Sequence, residues 1–110
     1  MAALLKRSKD RCPTHPGALL REIVVPALPV GKAEFARALD ISRQSLYEIL
    51  SEKQPVTPTM AVRLGAVLDT TAASWLNMQT AYDLWHAERA IDTSKFKRLK
   101  QTSQSPFRPG

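Results

Sequence analysis

"ALDISRQSLYEIL", residues 38–50, holds the end of one segment with helical apolar spacing, a three-residue break, and the start of another. Two helices joined by so short a turn cross steeply. That crossing needs a small residue where they approach and one turn residue able to take a left-handed backbone. Ala36 and Asp40 stand at those places, and Asp is among the few non-glycine residues that visit that conformation. Ile41 is positioned to plug the core beneath the turn. The pattern predicts a helix-turn-helix whose second helix is capped by Ser42 and runs to Leu50, burying Leu46, Ile49 and Leu50.

The flanks extend this reading. Upstream, Gly31 is the expected cap of the preceding helix, with Glu34 at its third position, Val30 and Phe35 placed as a hydrophobic staple, and an end at Leu39. Further back, Thr14 is the expected cap of a first helix with Pro16 in its opening turn. Leu19, Leu20, Ile23 and Val24 form its apolar face, and Pro26 and Pro29 stop it. Downstream, "SEKQPV" reads as a loop. Thr57 and Pro58 then start a fourth helix with Met60, Ala61, Leu64, Val67 and Leu68 inside, and a fifth runs from Thr70 or Thr71 to about Ala90. Period-two alternation is absent, so the expected class is all-α. The folded body is placed at 13–92, between a flexible basic segment at 1–12 and a basic, disordered tail at 93–110 that ends in "QTSQSPFRPG".

Bulk properties narrow the function classes. A chain of 110 residues, 44% hydrophobic and 24% charged, has the composition of one ordinary soluble domain. Its apolar runs fall well short of the ~20 residues needed to span a bilayer. The opening "MAALLKRSKDRC" places its charges after its apolar residues, the wrong order for a secretory signal. With Cys12 as the single cysteine no intrachain disulfide can form, and a cytoplasmic location is expected. The net charge of +6 lies in the ends: Lys and Arg outnumber acids four to one in 1–12 and six to two in 86–110, but number six against seven acids between. Charge alone therefore does not argue for nucleic acid; the pattern of the second helix does.

Gln44 can pair bidentately with adenine, Arg43 can reach guanine or a phosphate, and Ser45 and Tyr47 can bond phosphate oxygens. Glu48 fits less easily, because its carboxylate repels phosphate unless it accepts from a cytosine amino group or pairs with a neighbouring Arg. In the fifth helix, Trp75, Met78, Tyr82 and Trp85 fall on one side, while Leu76, Leu84, Ala87 and Ile91 extend round another. That is more apolar surface than a small bundle readily covers, so a twofold dimer contact is expected there, with Trp75, Met78, Tyr82, Leu84 and Trp85 at the interface. The alternative is that Trp75, Met78 and Tyr82 fill the core. Cys12 and His15 are spaced like a pair of metal ligands, but no second pair completes a tetrahedral site. His15 is expected to serve the first helix terminus, and His86 an exposed face. No glycine-rich phosphate loop or Ser/His/Asp constellation is present, so neither enzymatic chemistry nor a cofactor or metal is expected.

Taken together, "HPG" at 15–17, "VTPTMAVRL" at 56–64 and "WLNMQTAYDL" at 75–84 resemble the HigA family of antitoxins, within the Xre/Cro-type helix-turn-helix superfamily, over residues 15 to 86. The resemblance implies a five-helix bundle of the lambda-repressor-like type. It also implies a homodimer on a palindromic double-stranded DNA operator of its own operon, and a HigB-type, RelE-like RNA-cleaving toxin as partner. The DNA-facing residues it implies are Arg43, Gln44, Ser45 and Tyr47, with Lys53, Gln54 and Thr57 near the backbone. Departures are visible. The family usually has glycine where Asp40 and Asp69 stand, and Asn-Gly-Lys in place of Ser51-Glu52-Lys53. Glu52, beside a phosphate-facing loop, is expected to weaken DNA binding. Two other readings remain open: a stand-alone regulator without a toxin, and an interaction module that no longer binds DNA. The toxin surface is expected at the basic N-terminal segment with the first helix, or at the C-terminal tail.

Overall fold

The structure, a computed structural model, describes residues 11–99. Five helices follow one another, and no strand occurs among the described residues. The first, α1, is continuous but changes winding: α-helical over Pro16–Leu19, π over Leu20–Val24 and α-helical again over Val25–Ala27. Then come α2, Lys32–Ala38; α3, Arg43–Leu50; α4, Pro58–Leu68; and α5, Ala72–Ala90. A single 3-10 turn, Thr93–Lys95, lies within the segment expected to be a disordered tail. The rest of the two basic ends, 1–10 and 100–110, falls outside the described residues.

Three details of α1 differ from the sequence reading. Its cap is His15, not Thr14: the imidazole Nδ1 accepts from the Gly17 N–H at 2.8 Å. Pro26 does not stop the helix. A proline ring displaces the carbonyl four residues back, and the wider π turn immediately before it, with Val25 N–H donating to Leu20 O, accommodates the ring. Pro29 is the stop, since it holds Leu28 extended at φ −74°, ψ 147°. The altered winding also carries Ile23 off the inner face, leaving it 62% exposed.

The core is built from Leu20, Phe35, Leu39, Leu46, Val56 and Leu64, each almost fully buried, with Ala36, Ile49, Leu50, Met60, Ala61 and Trp75 around them. Each large side chain among these contributes roughly 2 kcal/mol of hydrophobic stabilisation. Val67, expected inside α4, is on its outer flank.

Three successive helices end in the same way, on a non-glycine residue in the left-handed region: Asp40 (φ 59°), Glu52 (φ 67°) and Asp69 (φ 56°). After each, the next N–H reaches back five residues: Ile41 to Ala36 O at 3.0 Å, Lys53 to Glu48 O at 2.9 Å, Thr70 to Gly65 O at 3.0 Å. This closure satisfies carbonyls that a helix end otherwise leaves orphaned. At the third, glycine is required one turn earlier, because a Cβ on Gly65 would sit 2.9 Å from Thr70 O and 3.0 Å from Ala72 N.

Candidate nucleic-acid interface

The turn between α2 and α3 is held from both sides. Ile41 is half-buried against the core beneath it, and Arg63 of α4 donates to Leu39 O at 2.9 Å and Asp40 O at 3.3 Å. Ser42 then caps α3: its Oγ accepts from the Ser45 N–H at 3.0 Å and donates to Ser45 Oγ at 2.9 Å. With Leu46, Ile49 and Leu50 directed inward, the first turns of α3 project outward as an arm fixed at its base.

Arg43 and Gln44 are exposed there, and Ser45 is half-buried between them and the core. Arg43 lines a groove of about 410 Å³ with Ala33, Ala36, Arg37 and Ile41. Arg37 brings a second guanidinium to that groove; as one exposed Arg on an amphipathic helix it carried no signal in the sequence. Tyr47 is half-exposed, and Lys32 of α2 places its ammonium 5.8 Å from the ring centroid. A second groove of about 190 Å³ separates α3 from the loop to α4, lined by Ser45, Glu48, Ile49, Gln54, Pro55, Thr57 and Met60. It unites Ser45, Gln54 and Thr57 of the expected DNA-facing set. Lys53 is exposed beside it but does not line it, and the Thr57 hydroxyl oxygen accepts from the Met60 N–H at 3.2 Å as the cap of α4.

The two acids in this region behave differently from one another. Glu48 accepts from Gln44 Nε2 at 3.0 Å, one helical turn apart. Glu52 turns away from the α3 arm and pairs with Arg21 of α1 at 3.2 Å, while the same guanidinium nitrogen donates to Leu50 O at 2.7 Å. Its negative charge thus faces a cation on the α1 side, one shared with Glu22 at 2.9 Å. The loop behind α3 is fastened by Gln79, a buried α5 residue that sequence reasoning missed. Gln79 Oε1 accepts from the Val56 N–H at 2.7 Å, and its Nε2 donates to Asp83 at 2.9 Å. A glutamine at a core-facing helical position was the one available signal, since a buried amide needs partners.

Along α5 the residues expected at a dimer contact separate. Trp75 is a core residue, 5% exposed, with its indole N–H donating to Thr70 Oγ1 at 2.7 Å, so its ring is already covered within one chain. Met78 and Tyr82 are half-buried. The Tyr82 ring packs edge-on against His15 at 4.8 Å and, tilted by 57°, against His86 at 4.5 Å. Trp85 is also half-buried, with the Arg89 guanidinium 3.8 Å from its ring centroid, whereas Leu84 is 55% exposed. His15 itself is buried, and burial pushes its pKa below the ordinary 6.5 against the opposing pull of Glu52 and Asp83. Cys12 Sγ lies 3.6 Å from His86 Nε2. Among the described residues no three His, Cys, Asp or Glu side chains are grouped to share a metal ion, and no helix is long and apolar enough to cross a membrane.

Known proteins share this arrangement. No family model matches the chain. An uncharacterized HTH-type transcriptional regulator of Escherichia coli K12, YddM, is 37% identical over 85 residues, spanning 77% of this chain and 89% of that protein. Antitoxin GraA in complex with its operator superposes with a TM-score of 0.71 at 35% identity, covering 87% of this chain and all (100%) of that one. Pseudomonas aeruginosa antitoxin HigA, solved with the higBA promoter, superposes with a TM-score of 0.68 at 36% identity over 76% of this chain and 88% of that one.

Proposed function

The chain belongs to the HigA-like family of Xre-type helix-turn-helix antitoxins and DNA-binding regulators, and from that premise we propose that it is an antitoxin that represses its own operon. As a homodimer it reads a palindromic site upstream of its own gene, and it neutralises a HigB-type RNA-cleaving toxin by direct binding in the cytoplasm. The observation that carries the DNA-reading half is the α3 arm: Arg43 and Gln44 project from a turn anchored by Ser42, Ile41 and Arg63. A helix presented by its N-terminal turns is the part that enters a major groove. Gln44 and Arg43 contact base edges, Ser45 and Tyr47 contact phosphates, and Lys53, Gln54 and Thr57 approach the backbone along the second groove. The dimer forms along α5 through Leu84 and Trp85, with Met78 and Tyr82 at its margin; twofold symmetry then sets the recognition helices about one DNA turn, ~34 Å, apart.

Fluorescence anisotropy on a labelled duplex from upstream of its own reading frame, at two salt concentrations, tests this reading. The wild type is expected to prefer that duplex strongly over random DNA, and Gln44→Ala to cost ~1 to 3 kcal/mol on it alone. Equal, salt-sensitive binding to both DNAs, indifferent to Gln44, would mean that charge alone attracts the duplex. Co-expression with the neighbouring reading frame tests the antitoxin half. A tight complex supports it; no complex favours a stand-alone regulator, the class named for the Escherichia coli relative.

A further inference from the structure

We propose that Glu48 is a positioning residue that sets Gln44 to read adenine, so that each operator half-site carries an adenine opposite Gln44 and rejects guanine there. The inference rests on the DNA-reading function above and deepens it. An ionised carboxylate only accepts hydrogen bonds, so the atom of Gln44 that faces Glu48 Oε2 at 3.0 Å is the amide nitrogen. That contact consumes one of the two amide N–H groups. The free amide edge is then one acceptor, Oε1, and one donor, the second N–H. Adenine presents one donor and one acceptor in the major groove, N6–H and N7, and matches that edge; guanine presents two acceptors, O6 and N7, and does not.

A free glutamine has no such restriction. It can turn its amide over, or offer both N–H groups to guanine, and pays only side-chain freedom for either. No Lys or Arg is paired with Glu48 in any ion pair among the described residues, so Gln44 is the partner the structure gives that carboxylate. The pair spans one turn of α3 on its exposed face, and Glu48 also borders the groove that holds Ser45, Gln54 and Thr57.

The test scans the operator duplex one base pair at a time with wild type and Gln44→Ala to find the pair whose identity Gln44 reads, then changes that pair from A·T to G·C. Wild type is expected to discriminate against G·C there. Glu48→Ala should shrink that discrimination roughly two- to tenfold, the range of the net worth of one solvent-exposed hydrogen bond. It should do so while binding random DNA no more weakly, and should have no effect on discrimination in the Gln44→Ala background. Glu48→Gln, whose amide can donate as well as accept and so no longer fixes which way the Gln44 amide faces, should lose a share between none and that of Glu48→Ala. Circular dichroism of both variants confirms that the helices are intact. Discrimination unchanged by Glu48→Ala, or an equal loss of affinity on every duplex, overturns the inference and leaves the DNA-reading function standing. A wild type indifferent to all sequence overturns both.

Discussion

The turns that follow α2 and α3 solve one problem by different means. Each closes a helix on a left-handed non-glycine residue, each sends the next N–H back five residues, and each receives an arginine from another helix onto its last carbonyls. Positive charge at a helix C-terminus is favourable in both cases. They part at the left-handed residue. The Asp40 side chain is 95% exposed and its bridge to Arg63 is long, 3.7 Å, so the conformation rests on the tolerance of Asp itself. Glu52 has no comparable tolerance; Arg21 of α1 and the loop anchored by Gln79 hold it in place. At the turn that presents the recognition arm the left-handed residue is locally tolerated, and at the turn behind it that residue is held by tertiary contacts.

The strongest way to break the second turn alone is at Gly17. A Cβ there would run into the Ile49 carbonyl and approach His15 Nδ1 at 3.0 Å. Backbone cannot yield as a flexible side chain can, so α1 would be pushed off the end of α3, carrying Arg21 with it. Gly17→Ala should lose about 3 kcal/mol in urea denaturation. In amide exchange the N–H groups of Glu52, Lys53 and Val56 should lose protection well before that of Ile41. A loss of under about 1 kcal/mol, or equal loss of protection at both turns, would show that α1 does not govern the second turn.

The same division explains what the sequence made legible. The left-handed Asp40, the Ser42 and Thr57 caps and the inward Leu46, Ile49 and Leu50 follow from residue type and spacing within a few positions and are read from the sequence, whereas the Arg63 bonds that brace the Asp40 turn are not. Glu52 as a left-handed residue depends on Arg21, 31 positions earlier, and Val56 depends on Gln79, 23 positions later. Neither partner announces itself locally. The π turn in α1 and the exposure of Ile23 were missed because Pro26 reads as a stop until the helix is seen to widen around it. Trp75 illustrates a different limit: periodicity put it on a face of α5 but could not say whether this chain or a second copy covers that face.

Acid offers a reversible form of the same break. His15 caps α1 as an acceptor, so its Nδ1 must be unprotonated, and its pKa in the fold lies below the ordinary 6.5 because it is buried. In the unfolded chain the imidazole takes its proton near 6.5, so the unfolded state binds more protons below that value and stability rises with pH. The contribution is complete above about pH 6.5 and is lost as pH falls below it, levelling off once the folded His15 is itself protonated. Stability should therefore fall as pH drops below about 6.5, and the loss should appear at Glu52 before Asp40 in amide exchange. His15→Asn, whose side-chain oxygen can accept from Gly17 at any pH, should flatten the dependence; a profile unchanged by that substitution would remove His15 as its source.

The finest discrimination comes from placing glycine at each left-handed position. Glycine removes a left-handed penalty of about 1 kcal/mol and returns most of it as added freedom in the unfolded chain. For Asp40→Gly little else changes, because an exposed, long ion pair contributes almost nothing, and a gain of a few tenths of a kcal/mol is expected. For Glu52→Gly the same relief is offset by losing one of the two carboxylates on Arg21, a side chain 39% exposed that keeps Glu22 at 2.9 Å. That pair is screened by water and its loss is small, enough to bring the net effect to zero or slightly below. Urea midpoints should therefore rank Asp40→Gly above wild type and Glu52→Gly level with it. In an Arg21→Ala background the offset disappears, and Glu52→Gly should become stabilising by about as much as Asp40→Gly. If Glu52→Gly is the more stabilising of the two in the wild-type background, the tertiary hold on the second turn is weaker than its geometry implies, and the two turns differ in residue type alone.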